Sequence, residues 1–259
     1  MARNLPDVVP IEDAASEPYS TILAYPRPPE ASVLSSRIQQ LRELGISELE
    51  FTGKLRVGKL SVLGKGVAGM VVVGRAEKDK VALKIRRTDS RRNSMRHEAS
   101  MLKAANEIDV GPRYYGETAD ILSMELVEGQ SLPDWITTLR GKGRRLRLRE
   151  TLGDLFQQCY RMDKAGLDHG EISRAHKNIS VRANGHAVIL DFESASKERS
   201  PNNLTSVTQY FFLGSGFARR VRGIAGPTDN EKLKGALRVY KSERSTDALH
   251  AVEKLLMLD

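Results

Sequence analysis

The sequence has little of several residue types that mark particular protein classes. Its single cysteine, Cys159, cannot close an internal disulfide, which fits a reducing compartment such as the cytoplasm. Its surroundings, LFQQCYRM, are typical of a helix, so we interpret Cys159 as a buried thiol and not as a nucleophile. Aromatic residues make up 5% of the chain, so we expect an aliphatic core. No apolar run approaches the roughly 20 residues that a membrane span needs. The N-terminal residues also lack the basic start and apolar segment of a secretory signal.

Basic residues outnumber acidic ones, with a formal net charge of +8. Such a charge attracts phosphate backbones or acidic proteins. A basic run is also commonly no more than a solvated face, so RNA or a ribonucleoprotein is a candidate partner and not a conclusion. The basic residues fall into three clusters: Arg86, Arg87, Arg91, Arg92 and Arg96; Arg140, Lys142, Arg144, Arg145, Arg147 and Arg149; and Arg219, Arg220 and Arg222.

The N-terminal part of the chain precedes the recognisable motifs. Residues 1–30 are rich in proline and acidic residues and are predicted to form a loosely ordered extension. Apolar periodicity then predicts a helix over Ala31–Leu44, followed by short strands around Leu49–Phe51 and Gly58–Leu63. We expect this region to cover the back of the sheet that follows.

Three glycines lie in the G-x-G-x-x-G spacing at Gly64, Gly66 and Gly69. This pattern occurs in both dinucleotide-binding domains and kinases, and in the former it opens a helix. Here β-branched residues at 71–73 and a charged turn follow, which predicts strand, glycine loop and strand. Because glycine lacks a Cβ, such a hairpin can lie close to phosphates. An ordinary glycine-rich hairpin is the alternative.

In the next predicted strand, KVALKIRR, successive side chains point to opposite faces. Val81 and Leu83 therefore lie on one face, and Ala82 and Lys84 lie on the other. Ala82 offers a small apolar surface for a base, and Lys84 is expected to point beneath the glycine hairpin. An isolated strand lysine is commonly solvated, so a partner is needed to distinguish the two interpretations. The amphipathic helix at 92–106 supplies one, because Glu98 lies at its buried edge.

The chain then alternates between a strand and helices. The strand ILSMELV carries Met124, which we expect to line an adenine pocket. Glu128 follows it and is either a ribose ligand or an exposed loop acid. A short helix at Leu132–Leu139 precedes a basic loop, and a longer helix is predicted from about Glu150 to Ala165. Three more helices are predicted at Leu204–Leu213, Asn230–Tyr240 and Thr246–Leu258.

The stretch from Leu167 to Glu193 places three oxygen-bearing side chains around a predicted hairpin. The strands NISV and AVIL flank an Asn-Gly turn. Glu171, Asn178 and Asp191 then lie at the ends of loops on one edge. Two acids and an amide suit a hard divalent cation such as Mg²⁺ with a phosphate on its far side.

Taken together, these motifs occur in the order found in protein kinases, over roughly residues 58–200. The resemblance implies an α+β, two-lobed protein-kinase-like fold, with an antiparallel sheet and one helix in the N-lobe and a small, mostly helical C-lobe. Residues 1–50 would form an N-terminal extension with one helix, 51–127 the N-lobe and 128–259 the C-lobe. HG in place of the commoner HR, together with the small size, resembles the atypical RIO kinases, the small kinase of the KEOPS complex and related archaeal Ser/Thr kinases.

The resemblance implies a role for each matching position. Lys84, held by Glu98, would bind the ATP phosphates, Asp191 and Asn178 would bind Mg²⁺, and Glu171 would accept the proton of the attacking hydroxyl. His169 would be structural, and His176 is assigned no role. The implied nucleotide contacts are Gly64, Lys65, Gly66, Val67, Gly69, Val71, Ala82, Lys84, Glu98, Met124, Glu125, Val127 and Glu128.

Three departures from the family pattern concern the catalytic elements. Glu171 stands where the family has Asp, and Asn178 follows it by seven positions instead of five. The two changes could compensate for each other, or activity could be low. Glu193 gives DFE in place of DFG, which argues against a readily flipping activation segment. No A-P-E signature follows Asp191, so we expect the usual platform for docking a linear peptide to be absent.

We therefore expect an ATP- and Mg²⁺-dependent kinase for Ser/Thr hydroxyls of proteins, including its own. The alternatives are an ATP-gated assembly factor on RNA or ribonucleoprotein, and a pseudokinase that binds nucleotide without transfer. A small-molecule kinase is a further option, although no added substrate-binding subdomain favours it.

Overall fold

The computed structural model describes residues 7–77, 79–214 and 216–256, apart from the side chains of residues 174–176. The chain is α+β and forms two compact units. One contains the described residues up to Ser100 together with Arg113–Leu126, and the other contains Met101–Pro112 and the residues from Val127 onwards. Within the described part of the chain, no helix has the length and apolarity needed to cross a membrane.

The first unit is built on an antiparallel seven-stranded sheet in the order β1-β2-β6-β7-β9-β8, with β5 paired to β6. A separate hairpin consists of β3 and β4. The strands are β1 (Val8–Pro10), β2 (Glu48–Glu50), β3 (Leu55–Val57), β4 (Leu60–Val62), β5 (Gly64–Lys65), β6 (Gly69–Ala76), β7 (Asp79–Arg86), β8 (Tyr114–Glu117) and β9 (Ile121–Glu125). The helices are α1 (Ser20–Ala24), α2 (Ala31–Glu43) and the first part of α3 (Arg96–Asn106), which continues into the second unit from Met101.

The prediction that residues 1–30 are loosely ordered is wrong for the described residues 7–30. Strand β1 pairs with β2 and so joins the main sheet. Ile11, Ile22 and Leu23 are almost fully buried in the same core as the sheet residues. Burial of this many aliphatic side chains is the dominant favourable term in ordering a segment, and it outweighs the unfavourable composition. The predicted helix over Ala31–Leu44 is confirmed, and α2 packs against β9.

A buried arginine joins α2 to the rest of the first unit. Arg37 is 1% exposed and donates hydrogen bonds to the carbonyl oxygens of Leu23 and Arg86. Its Nε lies 3.7 Å from Asp120, which also pairs with the Arg86 guanidinium at 2.5 Å. Burial lowers the pKa of Arg37, and the Asp120 carboxylate opposes that shift. The N-terminal segment is therefore anchored by polar contacts as well as by apolar packing.

The second unit is mostly helical and contains a small antiparallel sheet in the order β10-β11-β12. Its strands are β10 (Gln130–Ser131), β11 (Ile179–Val181) and β12 (Ala187–Ile189). Its helices are α4 (Leu132–Thr138), α5 (Arg144–Lys164), α6 (Ala175–Asn178), α7 (Asn203–Thr208), α8 (Gly216–Ala225), α9 (Asn230–Glu243) and α10 (Thr246–Leu255). A π-helical turn at Gln209–Leu213 follows α7.

Two helix predictions in the second unit need correction. The basic segment 141–150 was expected to be a loop, but α5 begins at Arg144, because arginine is a strong helix former. Helix α8 is not among the predicted helices; its sequence is basic and contains two glycines. The buried side of α5 is as predicted, because Leu152, Phe156 and Cys159 are fully buried. Burial raises the pKa of the Cys159 thiol well above its usual value, which agrees with an unreactive side chain.

Candidate functional site

The three glycines form the turn of a hairpin, as predicted, and do not open a helix. Gly64 pairs with Val71 across β5 and β6, and Gly66 N–H donates to the Gly69 carbonyl at 2.8 Å. Val67 at the tip is 85% exposed. This arrangement excludes the dinucleotide-binding alternative, in which the glycines precede a helix.

The absence of a side chain at Gly69 lets the hairpin approach Lys84. A Cβ at Gly69 would lie 2.9 Å from Lys84 Cγ and 3.0 Å from the Ile85 carbonyl oxygen, which is closer than side chains normally pack. A Cβ at Gly66 would meet nothing nearer than 3.5 Å. Of the two positions, Gly69 is therefore the one where the structure requires glycine.

The predicted contact between Lys84 and Glu98 is confirmed. Lys84 Nζ lies 2.8 Å from Glu98 Oε1, and the two side chains are 6% and 5% exposed. Lys84 belongs to β7, between Val71 on β6 and Leu122 on β9, and Glu98 belongs to the first turn of α3. The neighbouring strand position Ala82 is also buried and pairs with Met124.

The other expected nucleotide contacts are distributed over both units. Lys65 lies in β5 with its ammonium 4.8 Å from the centre of the Tyr25 ring, a cation–π contact with the N-terminal segment. Glu125 ends β9, and its carboxylate accepts a hydrogen bond from the backbone N–H of Arg113 at 3.2 Å. Val127 and Glu128 belong to the second unit, and Glu128 is exposed. Their contact with a nucleotide stays a prediction.

In the second unit, the predicted hairpin places the polar residues at one end of its ladder. Ile179 pairs with Ile189, and the next backbone bond joins Leu190 N–H to the Asn178 carbonyl at 2.8 Å. Asn178 is buried, and its Nδ2 donates to the Glu171 carbonyl oxygen at 3.2 Å. The Oδ1 atom of Asn178 is therefore the end of the amide suited to a metal ligand.

Asp191 lies two residues after the end of β12 and has an unusual backbone conformation. Its φ of +65° lies in the left-handed region, which aspartate tolerates better than most residues but still disfavours. The residue is exposed, whereas its neighbour Phe192 is almost fully buried. Strained conformations of this kind concentrate at functional sites, where the surrounding structure fixes them. Asp191 is thus held in a defined direction at the end of the strand.

The carboxylate of Glu171 is oriented by a residue that the sequence did not single out. Ser194 Oγ donates a hydrogen bond to Glu171 Oε1 at 3.0 Å. The backbones around the two residues are joined as well, since Asp168 and Ser196 exchange two hydrogen bonds of 2.8 and 2.9 Å. Arg199 donates to both Asp168 Oδ2 and the Ser194 carbonyl oxygen. A serine within the polar run SASKERS gives no sequence signal for this role.

His169 is fully buried and has a structural role in the loop. Its Nε2 lies 2.9 Å from the Leu190 carbonyl oxygen, and the backbone N–H of Glu171 donates to Nδ1 at 3.4 Å. Burial lowers the pKa of His169, and the nearby acids oppose that shift only in part. The neutral ring therefore carries its proton on Nε2. Both nitrogens are engaged by backbone groups, so neither is placed to take a substrate proton.

The buried carboxylate of Asp163 holds the His169 loop indirectly, through Asn203. Asp163 Oδ1 accepts hydrogen bonds from Asn203 N and Nδ2, and Oδ2 accepts from Leu204 N and from the Tyr240 hydroxyl, all within 3.1 Å. Asn203 Oδ1 in turn accepts the backbone N–H of His169 at 2.9 Å. Burial raises the pKa of Asp163, and its four donors oppose the rise. The network connects α5, α7, α9 and the loop.

An aspartate and an amide oxygen are hard ligands suited to Mg²⁺, and a buried ammonium beside a glycine hairpin suits phosphate. The side chain of His176 lies outside the described part of the chain. No protein-family model matches the sequence, and the comparison with curated proteins found no match. The functional proposal consequently rests on the residues and their geometry.

Proposed function

We propose that this chain is an ATP- and Mg²⁺-dependent protein kinase that transfers the γ-phosphoryl group to Ser/Thr hydroxyls of proteins, including its own. In this proposal, the two compact units are the lobes of a protein-kinase-like fold of the RIO or KEOPS-kinase type. The antiparallel sheet with α3 would be the N-lobe, and the helical unit with β10–β12 would be the small C-lobe.

The observation that carries the proposal is the buried ion pair between Lys84 and Glu98. Removing two charges from water costs several kcal/mol per ion, roughly what their attraction returns, so such a pair adds little net stability. A structural role alone therefore explains it poorly. An ammonium that must be held for phosphate binding explains why both charges are kept, and the position of Gly69 against Lys84 supports the same role.

Each candidate residue has a distinct task in this reaction. Lys84 would bind the nucleotide phosphates while Glu98 fixes the ammonium. Asn178 and Asp191 would hold Mg²⁺, which supplies charge neutralisation for the phosphates when bound.

Glu171 would accept the proton of the acceptor hydroxyl. At the same time the hydroxyl oxygen would form the new P–O bond to the γ-phosphoryl group, and the bond between that group and ADP would break. The hydrogen bond from Ser194 would keep the longer glutamate side chain in one orientation. This orientation would raise the rate of phosphotransfer, because a misplacement of about 1 Å costs on the order of 10²-fold in rate.

The proposal is tested by replacing the ion pair with apolar residues. The double variant Lys84→Met/Glu98→Leu is expected to keep its thermal stability, because an apolar pair of similar volume commonly replaces a buried ion pair without loss. It is expected to lose Mg²⁺-dependent ATP binding in calorimetry. Lys80→Met is the matched control, since Lys80 lies on the same strand in an exposed ion pair with Glu50. Unchanged ATP binding by the double variant would contradict the proposal.

A pseudokinase that binds ATP without transfer is the second candidate. It is favoured by Glu171 in place of aspartate and by the hydrogen bond that already engages its carboxylate. The two functions differ in one outcome, because only a kinase moves the terminal phosphate to a protein acceptor.

A further inference from the structure

Two basic clusters that are separate in the sequence lie side by side in the second unit. Segment 140–149 contains six basic residues, segment 216–226 contains three, and neither contains an acid. The nine basic residues exceed the net charge of +8 of the whole chain. We call their joint surface the basic face: Arg140, Lys142, Arg144, Arg145, Arg147, Arg149, Arg219, Arg220 and Arg222.

Helix packing brings the two clusters together. Helix α5 begins at Arg144 and packs against α8. The guanidinium of Arg145 lies beside Gly226, at 3.5 Å from the position of a Cβ there. Gly226 directly follows the last residue of α8, Ala225, so Arg145 at the start of α5 lies beside the end of the helix that carries Arg219, Arg220 and Arg222. The two clusters therefore adjoin where α5 begins and α8 ends.

The arginines at the start of α5 are unfavourably placed for electrostatics, although their intrinsic propensity favours a helix. Arg144, Arg145 and Arg147 occupy its first turn, where the positive end of the helix dipole disfavours cations. Arg144 and Arg147, and also Arg145 and Arg149, are like-charged neighbours at helical spacing, which is unfavourable as well. Placing arginines there is costly to the helix, and a bound polyanion would offset that cost.

The charges of the basic face are only partly used within the protein. Arg144, Arg219 and Arg220 are exposed and form no ion pair with any residue that the structure describes. Arg147 and Arg222 donate to the backbone carbonyl oxygens of Arg140 and Phe212, which fixes their direction without neutralising them.

We propose that the basic face binds the phosphate backbone of a nucleic acid. Arginine forms paired hydrogen bonds with phosphate, and a nucleic-acid strand presents phosphates at regular short intervals. A membrane surface fits less well, because Leu146 is the one large apolar side chain exposed in segment 140–149, where Leu148 is buried. The one aromatic in the two segments, Phe217, is half-buried and packs against Tyr210 and Phe211, so recognition is through phosphate and does not distinguish RNA from DNA.

The test measures the salt dependence of binding to a fluorescent RNA hairpin and to a DNA hairpin of the same sequence. If six phosphates are contacted, affinity is expected to fall about 10³-fold between 50 and 200 mM salt. The triple variant Arg144→Gln/Arg145→Gln/Arg219→Gln is expected to lower the salt slope by about 2 to 3, leaving a fall of roughly 40-fold over the same range.

The matched control is Lys197→Gln/Lys241→Gln/Lys254→Gln, which removes the same charge from exposed positions outside the basic face. An equal loss in both variants would reduce the effect to net charge and overturn the proposal. So would the absence of binding at 50 mM salt, or tighter binding of an acidic peptide than of either hairpin. ATP binding by the triple variant Arg144→Gln/Arg145→Gln/Arg219→Gln is expected to be unchanged. This proposal and the kinase proposal can therefore fail independently.

Discussion

Removal of the Asp163 carboxylate is expected to destabilise the second unit and loosen the His169 loop. In Asp163→Ala, three donors of almost fully buried residues lose their acceptor: Asn203 N, Leu204 N and the Tyr240 hydroxyl. The fourth donor, Asn203 Nδ2, keeps its hydrogen bond to the Leu167 carbonyl oxygen. Each unsatisfied buried donor costs about 1–3 kcal/mol, and relief of carboxylate burial returns part of that sum. We expect a net loss of about 3–5 kcal/mol in the free energy of unfolding.

The isosteric variant Asp163→Asn separates hydrogen bonding from packing. Its amide keeps one acceptor oxygen for the two Asn203 donors and turns an NH₂ group towards Leu204 N–H, while the Tyr240 hydroxyl can rotate to accept. One mismatched donor then remains, with an expected cost of about 1–3 kcal/mol. The exposed Asp247→Ala is the control and is expected to cost less than about 1 kcal/mol.

Urea unfolding followed by fluorescence reports directly on this unit, because the single tryptophan, Trp135, belongs to α4. Hydrogen exchange gives a second readout at the loop, where the amide of His169 is expected to exchange faster in Asp163→Ala. A loss below about 1 kcal/mol together with unchanged exchange of this amide would refute the reasoning.

Three further predictions concern the candidate site. Gly69→Ala is expected to lower stability by about 1–3 kcal/mol in thermal unfolding, because its Cβ meets the adjacent strand, whereas Gly66→Ala stays within about 0.5 kcal/mol; equal effects would contradict this. Ser194→Ala is expected to slow phosphotransfer about 10- to 100-fold at unchanged KM for ATP, and Ser194→Thr to restore it, since a hydrogen bond to a charged group is lost and regained. Burial lowers the pKa of His169, so on acidification the histidine is protonated in the unfolded chain before it is protonated in the folded one. The free energy of unfolding is therefore expected to fall as the pH drops below about 6.5. An NMR titration midpoint of His169 at or above that value would contradict the lowered pKa.

Local patterns in the sequence were enough to predict the elements around the candidate site. Alternation and an Asn-Gly turn located β11 and β12, where Gly185 indeed has a positive φ of +88°. Strand alternation and helical periodicity predicted that Lys84 and Glu98 would meet, because each depends on which face of a regular element is buried. Both patterns are local in the sequence, and each is fixed by the need to bury the apolar face of a strand or helix in the core.

The features that were missed depend on long-range contacts. Nothing in the prolines and acids of residues 7–30 reveals that Ile22 and Leu23 fill a core shared with distant strands. The partners Asp163 and Asn203 lie forty positions apart, so their hydrogen bonds have no local pattern. The start of α5 was placed too late because arginines were interpreted as loop residues, although their propensity favours a helix.

The transfer of label from γ-³²P-ATP to protein in the presence of Mg²⁺, under single-turnover conditions, tests the central claim most directly. The wild type is expected to incorporate label on Ser or Thr, Glu171→Gln to react about 10²- to 10⁴-fold more slowly, and Asp191→Ala to show no incorporation. Equal incorporation by wild type and Asp191→Ala would contradict the claim, as would the failure of the wild type to label any protein acceptor.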